Sequence, residues 1–169
     1  MSESAAVTAQ EAPVIARLSE LAIPFTRHEH PPVATVEEAS KHWAGIEATH
    51  CKNLFLRNQK GTRHYLVVLT ASKKADLKAV AEQIGDGKLS FASPERLMTH
   101  LGVTPGSVSP FGLINDQAHA VRVFLDRDLA AAERLSFHPN INTVTYTVAA
   151  ADFARFLAAC GNRVTHVTV

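Results

Sequence analysis

The sequence predicts an α/β fold, a mixed and largely antiparallel sheet with helices packed on it. Segments of helical and of strand periodicity alternate along all 169 residues, with no internal repeat and no low-complexity tract. Several neighbouring strand candidates are joined too tightly for the crossovers that a doubly wound parallel sheet needs. The length suits one domain over residues 1–169, and 46% hydrophobic with 20% charged residues is ordinary for a globular chain. Such a chain buries enough surface to fold without a metal or a disulfide.

The elements follow from local signals. Val14, Ile15, Leu18, Leu21 and Ala22 recur at helical spacing within Thr8 to Ala22, and Pro13 falls in the first turn, where its missing amide is harmless. Pro24 ends that helix, Phe25 to Glu29 reads as a strand, and His30-Pro31-Pro32 is a loop. Thr35 with Glu38 forms a capping box that opens a helix through Trp43. Lys52 to Arg57 and His64 to Leu69 are the arms of a hairpin turned at Asn58-Gln59-Lys60-Gly61. Asp76 to Ile84 is helical and stops at Gly85, and Leu89 to Ala92 is a short strand. Ser93-Pro94-Glu95 starts a helix that runs to Leu101 and ends at Gly102. Thr104 to Gly112 is too rich in proline and glycine for a regular element. Ala120 to Leu125, Leu135 to Phe137 and Thr143 to Val148 read as strands, Ala150 to Cys160 as a helix closed by Gly161, and Arg163 to Val169 as a last strand.

Composition excludes several function classes. Seventeen basic against 16 acidic residues make no polycation, which argues against a protein gripping long duplex DNA. The start MSESAAVTAQEAP has neither the basic beginning nor the apolar block of a signal peptide, and no apolar run approaches the length of a membrane helix. The cytoplasm is the expected compartment, with Cys51 and Cys160 as unpaired thiols. There is no GxSxG elbow, no phosphate loop of the GxxxxGK[ST] kind, no HExxH and no GxGxxG after a strand. Nine histidines invite a metal reading, and His28 with His30 alternate onto one strand face, yet no third ligand is nominated. His50 beside Cys51 is no pair either, because adjacent strand residues face opposite sides.

Three places carry chemistry. Lys52-Asn53 opens an apolar strand, where an ammonium beside a core must face a cleft or solvent; an ordinary strand-end lysine explains it equally. The loop Gly106-Ser107-Val108-Ser109-Pro110 offers backbone amides to an anion or a water, or serves as a plain connection. His138-Pro139-Asn140 follows Phe137 and sets a polar ring at a strand end, where sites are often built.

Taken in order, HCKNLFLRNQKGTRHYLVVL (His50 to Leu69), GSVSPFGLIND (Gly106 to Asp116) and FHPNINTVT (Phe137 to Thr145) resemble the YbaK/prolyl-tRNA editing-domain family of aminoacyl-tRNA deacylases. The resemblance spans nearly the whole chain. A GxxxP loop alone is a weak signal, but the ordered set is specific. Asn53 after the lysine, and the segment Arg27 to Val33, resemble the freestanding ProXp-ala-like branch that clears alanine from mischarged proline tRNA; the cysteine-clearing branch usually carries threonine after the lysine.

The resemblance implies a metal-free hydrolase with no cofactor that cuts the ester between an amino acid and the terminal ribose, assisted by the tRNA 2′-hydroxyl. It implies catalytic roles for Lys52, Gly106 and His138, and substrate binding by Asn53, Ser107, Val108, Ser109 and Pro110. Lys52 would hold the ribose–phosphate end, and His138 would orient the substrate rather than act as a base. The partners implied are the acceptor end of mischarged tRNA(Pro) and, transiently, prolyl-tRNA synthetase or an elongation factor, with no membrane and no duplex DNA. Arg57, Lys60, Arg63, Lys73 and Lys74 lie close in sequence and would steer the acceptor stem, unless they are simply a solvated face. Two other readings stay open: a Cys-tRNA(Pro) deacylase, and a non-catalytic module that binds an aminoacyl-adenosine or a nucleic-acid end.

Overall fold

A computed structural model describes residues 7–32 and 48–169. The helix expected from Thr35 through Trp43 lies outside the described residues. The other expected helices are present. α1 spans Ala12–Glu20 and is entered through a reciprocal pair, in which the Glu11 amide donates to Thr8 Oγ1 (3.2 Å) and the Thr8 amide donates to the Glu11 carboxylate (3.0 Å). α2 (Leu77–Ile84) is capped by Asp76, whose Oδ1 accepts from the amides of Lys78 and Ala79. α3 (Pro94–Leu101) is capped by the Ser93 hydroxyl and ends at Gly102, whose φ of +68° is the left-handed conformation that glycine supplies without strain. α4 covers Ala150–Cys160.

The described residues form eight strands: β1 (Thr26–Glu29), β2 (Thr49–Asn58), β3 (His64–Thr70), β4 (Leu89–Phe91), β5 (Val121–Asp126), β6 (Arg134–Phe137), β7 (Val144–Ala149) and β8 (Val164–Val167). They join in the order β1-β7-β6-β2-β3-β5-β8, with β4 added to β2. Four interfaces are antiparallel (β1–β7, β6–β7, β2–β3, β2–β4) and three are parallel (β2–β6, β3–β5, β5–β8). The mixed sheet is as expected.

Two differences have physical reasons. The stretch after Gly102 does hold regular structure: two 3₁₀ turns, Pro105–Ser107 and Pro110–Asn115, each opening on a proline whose missing amide no i→i+3 bond requires. A third turn, Arg127–Ala131, follows β5 unannounced by proline or glycine; the Asp126 carboxylate starts it by accepting from the Asp128 amide.

The sheet buries both faces. On one side Phe55, Leu66, Val68, Val123, Leu135, Phe137, Tyr146 and Val148 meet α1, α3, α4 and Phe111 in the main core. On the other, Leu56, Tyr65, Val67, Leu69, Leu89 and Phe124 meet α2 through Val80. Neighbouring β2 residues therefore serve different cores, a consequence of the two-residue strand period.

Candidate active site

β2 changes partners along one edge, and the site lies where it does so. Its first residues pair in parallel with β6 (Thr49 with Leu135, His50 with Ser136), and its last pair with β4 (Leu56 with Phe91, Arg57 with Ser90). Between them, Cys51 to Leu54 have no strand on that edge among the described residues, while β3 covers the other. Lys52 and Asn53 sit in this gap.

They do not line one wall. Lys52 pairs with Leu69 and shares the face of Leu54 and Leu56, whereas Asn53 pairs with Val68 and shares the face of Cys51 and Phe55. The two therefore flank the strand edge from opposite faces. Partial burial pushes the Lys52 ammonium below its ordinary pKa, and among the described residues no carboxylate pairs with it. Lys73, by contrast, is held by Asp126 (2.7 Å), Asp128 (2.6 Å) and the Val169 carbonyl.

Asn53 joins the strand to the 106–110 loop. Its Nδ2 donates to the Val108 carbonyl at 3.3 Å, and its Oδ1 is buried with no hydrogen-bond partner. Gly106 lies in the first 3₁₀ turn without a left-handed φ, so the missing side chain, and not the backbone conformation, is what it contributes. The row of loop amides is only partly available. Ser107 N–H donates to the Thr104 carbonyl, Gly112 N–H to the Ser109 carbonyl and Phe111 N–H to the Ser109 hydroxyl (3.1 Å). The amides of Gly106 and Ser109 have no hydrogen-bond partner among the described residues. The side chains of Ser107 and Ser109 are buried, and Pro110, also buried, starts the second turn.

Phe111 anchors the loop from below. Its ring meets Phe137 edge-on at 5.9 Å, as well as Tyr146 and Phe156. Phe137 is the last residue of β6, so the same contact brings the loop to His138. Extending the β2–β6 register by two residues sets His138 level with Lys52 where the strands part. His138 Nδ1 lies 2.8 Å from the Val144 carbonyl, which can only accept, so Nδ1 carries the proton. Burial, helped by the nearby His30, pushes the ring below its ordinary pKa, against the opposing pull of the Val144 carbonyl. The neutral imidazole keeps Nε2 as an acceptor.

Around this ring is a polar face that residue-type reasoning missed. His30 lies 5.6 Å from His138, ring to ring, and its Nε2 meets Thr145 Oγ1 at 2.9 Å. His50 Nδ1 bonds Ser136 Oγ, and Thr147 Oγ1 is buried without a partner. Thr145 and Thr147 are almost wholly buried although they face away from the main core. The signal was the alternation Thr143, Thr145, Thr147 against Val144, Tyr146, Val148, a strand with one polar and one apolar face. Among the described residues, no three His, Cys, Asp or Glu converge on a metal-sized site, and burial pushes the Cys51 thiol up to about 12.

The five basic residues near the lysine strand do not form one patch. Arg57, Lys60 and Arg63 ride the β2–β3 turn, while Lys73 and Lys74 follow Thr70, which pairs with Cys51 at the other end of the hairpin. Seven residues of strand, roughly 20 Å, separate the two groups. Only Lys74 of the second group remains for a ligand, because Lys73 is neutralised.

Comparison with known proteins matches this architecture to one family. A family model described as "Aminoacyl-tRNA editing domain" matches residues 30–156. The prolyl-tRNA editing protein ProX of Acetoanaerobium sticklandii is 45% identical over 151 residues, covering 88% of this chain and 91% of that one. The prolyl-tRNA synthetase associated domain-containing protein 1 of Mus musculus is 33% identical over 150 residues, covering 86% of this chain and 88% of its own. The crystal structure of a candidate trans-editing enzyme for prolyl-tRNA synthetase shares the fold, with a TM-score of 0.73 at 19% identity over 97% of this chain and 99% of that one.

Proposed function

The chain belongs to the aminoacyl-tRNA editing domain family and is an aminoacyl-tRNA deacylase, and from that premise we propose that it hydrolyses alanine from mischarged proline tRNA, acting in trans as one domain over residues 1–169. The named role of the relatives supports proline tRNA, and Asn53 directly after Lys52 supports alanine. The observation that carries the reading is the Asn53–Val108 hydrogen bond, which joins the lysine strand to the GxxxP loop at an open strand edge. Delivery would involve transient contact with prolyl-tRNA synthetase or an elongation factor.

An aminoacyl ester is already activated, so positioning and electrostatics suffice. Lys52 holds the ribose–phosphate end as a cation. The unpartnered Oδ1 of Asn53 accepts a hydrogen bond from the substrate on the other side of the strand edge. Backbone groups of Gly106 and Val108, the part-exposed members of the loop, orient the water and the ester carbonyl as negative charge develops on it. Neutral His138 accepts through Nε2 from the substrate's ammonium group, an orienting role. Water, assisted by the neighbouring ribose hydroxyl, adds to the carbonyl carbon; the bond to the ribose oxygen breaks, releasing alanine and a free ribose hydroxyl. Selection is by size: a rigid small pocket excludes proline by clash, whereas a lost methylene contact alone distinguishes substrates by only ~1–3 kcal/mol.

The test is deacylation of tRNA(Pro) charged with alanine, cysteine or proline, with and without chelator, by wild type and Lys52→Ala. Chelator-resistant loss of alanine alone by wild type, abolished in a folded Lys52→Ala, is the expected result. Loss of cysteine in place of alanine would overturn the alanine assignment, and near-wild-type turnover by Lys52→Ala would overturn the role of the lysine.

A further inference from the structure

We propose that Phe91 is a stacking platform for an unpaired nucleotide of the tRNA 3′ end, two to four nucleotides inward from the ester, an inference that rests on the deacylase reading above. Phe91 is the one exposed Phe, Tyr or Trp ring among the described residues, at 60% of its full accessibility. A single exposed apolar residue is ordinary; its placement is what distinguishes this one. Phe91 ends the three-residue edge strand β4, directly opposite Leu56 of β2. Directly opposed residues share a face, and Leu56 shares its face with Leu54 and Lys52. Phe91 and Lys52 therefore project from the same side of the sheet. Four residues along β2 and one strand across, the two Cα positions are about 14 Å apart.

That separation matches a nucleic-acid end. It spans about four stacked nucleotides at ~3.4 Å each, or about two when the strand is extended. With the ester at Lys52, the unpaired 3′ nucleotides run along the open edge of β2 at Cys51 to Leu54 toward β4, since α2 covers the face beside it. The surface beyond Phe91 suits their backbone. Leu89, two residues earlier on the same face, lines a cavity of about 740 Å³ together with Leu77 and Ala81, and Lys78 and Lys88 also line it. Glu82 is the only carboxylate among those lining residues. An aromatic face beside cations is the combination that holds single strands with little sequence preference, because every base offers a π-face. A protein-docking patch would instead need contiguous exposed apolar area, and the other exposed large apolar residues described, Val7 and Met98, lie on other elements.

Wild type, Phe91→Ala and Phe91→Trp are compared on alanyl-tRNA(Pro) and on alanyl-adenosine, which has the ester but no inward nucleotide. The expected result is a rise in KM of about fivefold or more for Phe91→Ala on the tRNA, with kcat within twofold. Phe91→Trp should behave as wild type, and all three proteins should cleave alanyl-adenosine alike. As a readout independent of turnover, the extra indole emission of F91W over wild type should be quenched when uncharged tRNA(Pro) is added. An unchanged KM for Phe91→Ala, an equal loss on both substrates, or unquenched emission with tRNA bound would overturn the platform. A wild-type protein inactive on both esters would overturn the deacylase reading itself, a separate outcome.

Discussion

The side-chain amide of Asn53 donates to the Val108 carbonyl at 3.3 Å while its own oxygen is buried and unpartnered. One residue thus ties the loop to the strand and holds a buried acceptor with no partner of its own. A buried acceptor without a partner costs on the order of 1–3 kcal/mol, so the arrangement is consistent with a ligand that completes it.

Asn53→Ala removes both functions. Deacylation of alanyl-tRNA(Pro) should fall by about tenfold or more in kcat/KM, with only ~1 kcal/mol lost in urea unfolding, because the buried orphan oxygen leaves with the donor. Asn53→Asp keeps the shape but sets a carboxylate against the Val108 carbonyl, and should be worse in both measurements. An Asn53→Asp enzyme as active as wild type would show that neither the donor nor the loop tie matters.

His64 gives the fold a pH dependence of definite sign. Burial, with the tilted His100 ring 4.1 Å away and Arg96 beside it, pushes its imidazole down to about 4. Arg96 Nη1 donates to His64 Nε2 at 3.2 Å, which requires that nitrogen unprotonated. The unfolded chain binds a proton near pH 6.5 and the folded chain resists until about 4. This stabilisation, up to about 3 kcal/mol, is complete above pH 6.5 and is lost as the pH falls from 6.5 to 4. Urea unfolding from pH 4 to 8 should show that slope, and His64→Gln should flatten it while lowering stability at pH 7. Parallel curves for the two proteins would assign the acid sensitivity elsewhere.

The described helices were legible because they depend on neighbours in sequence. Asp76, Ser93, Gly85 and Gly102 cap or close turns by bonds only two to four residues long. The 3₁₀ turns after Gly102 were not read, since proline signals a break and a turn start alike. Alternation in β2 does place Lys52 and Asn53 on opposite faces. What sequence could not supply was that both faces are useful, which follows from β2 trading β6 for β4 along one edge. The His30–Thr145 contact joins residues 115 apart, and no local pattern encodes it. The basic residues misled because a hairpin carries near neighbours in sequence to opposite ends.

The strongest stability prediction concerns Glu11, fully buried at the start of α1. Its carboxylate accepts from Arg27 Nε (2.7 Å) and Nη2 (3.0 Å), from the Tyr146 hydroxyl (2.8 Å) and from Thr8. Burial alone would raise its pKa, but these donors outweigh it and hold the group down at about 2. The network ties α1 to β1, which His30 directly follows, and to β7, which carries Thr145. Because the folded pKa lies below the unfolded one, the contribution is complete above about pH 4.5 and disappears as the pH falls toward 2. Glu11→Ala leaves Arg27 only its ion pair with Glu29 and removes the acceptor of the Tyr146 hydroxyl, and should cost ~3–5 kcal/mol in urea unfolding at pH 7. Arg27→Ala should cost a similar amount, and the double variant little more than either single, since each single change already destroys the pair. Fully additive losses would show that Glu11 and Arg27 act independently and that the network is not what docks α1 on the sheet.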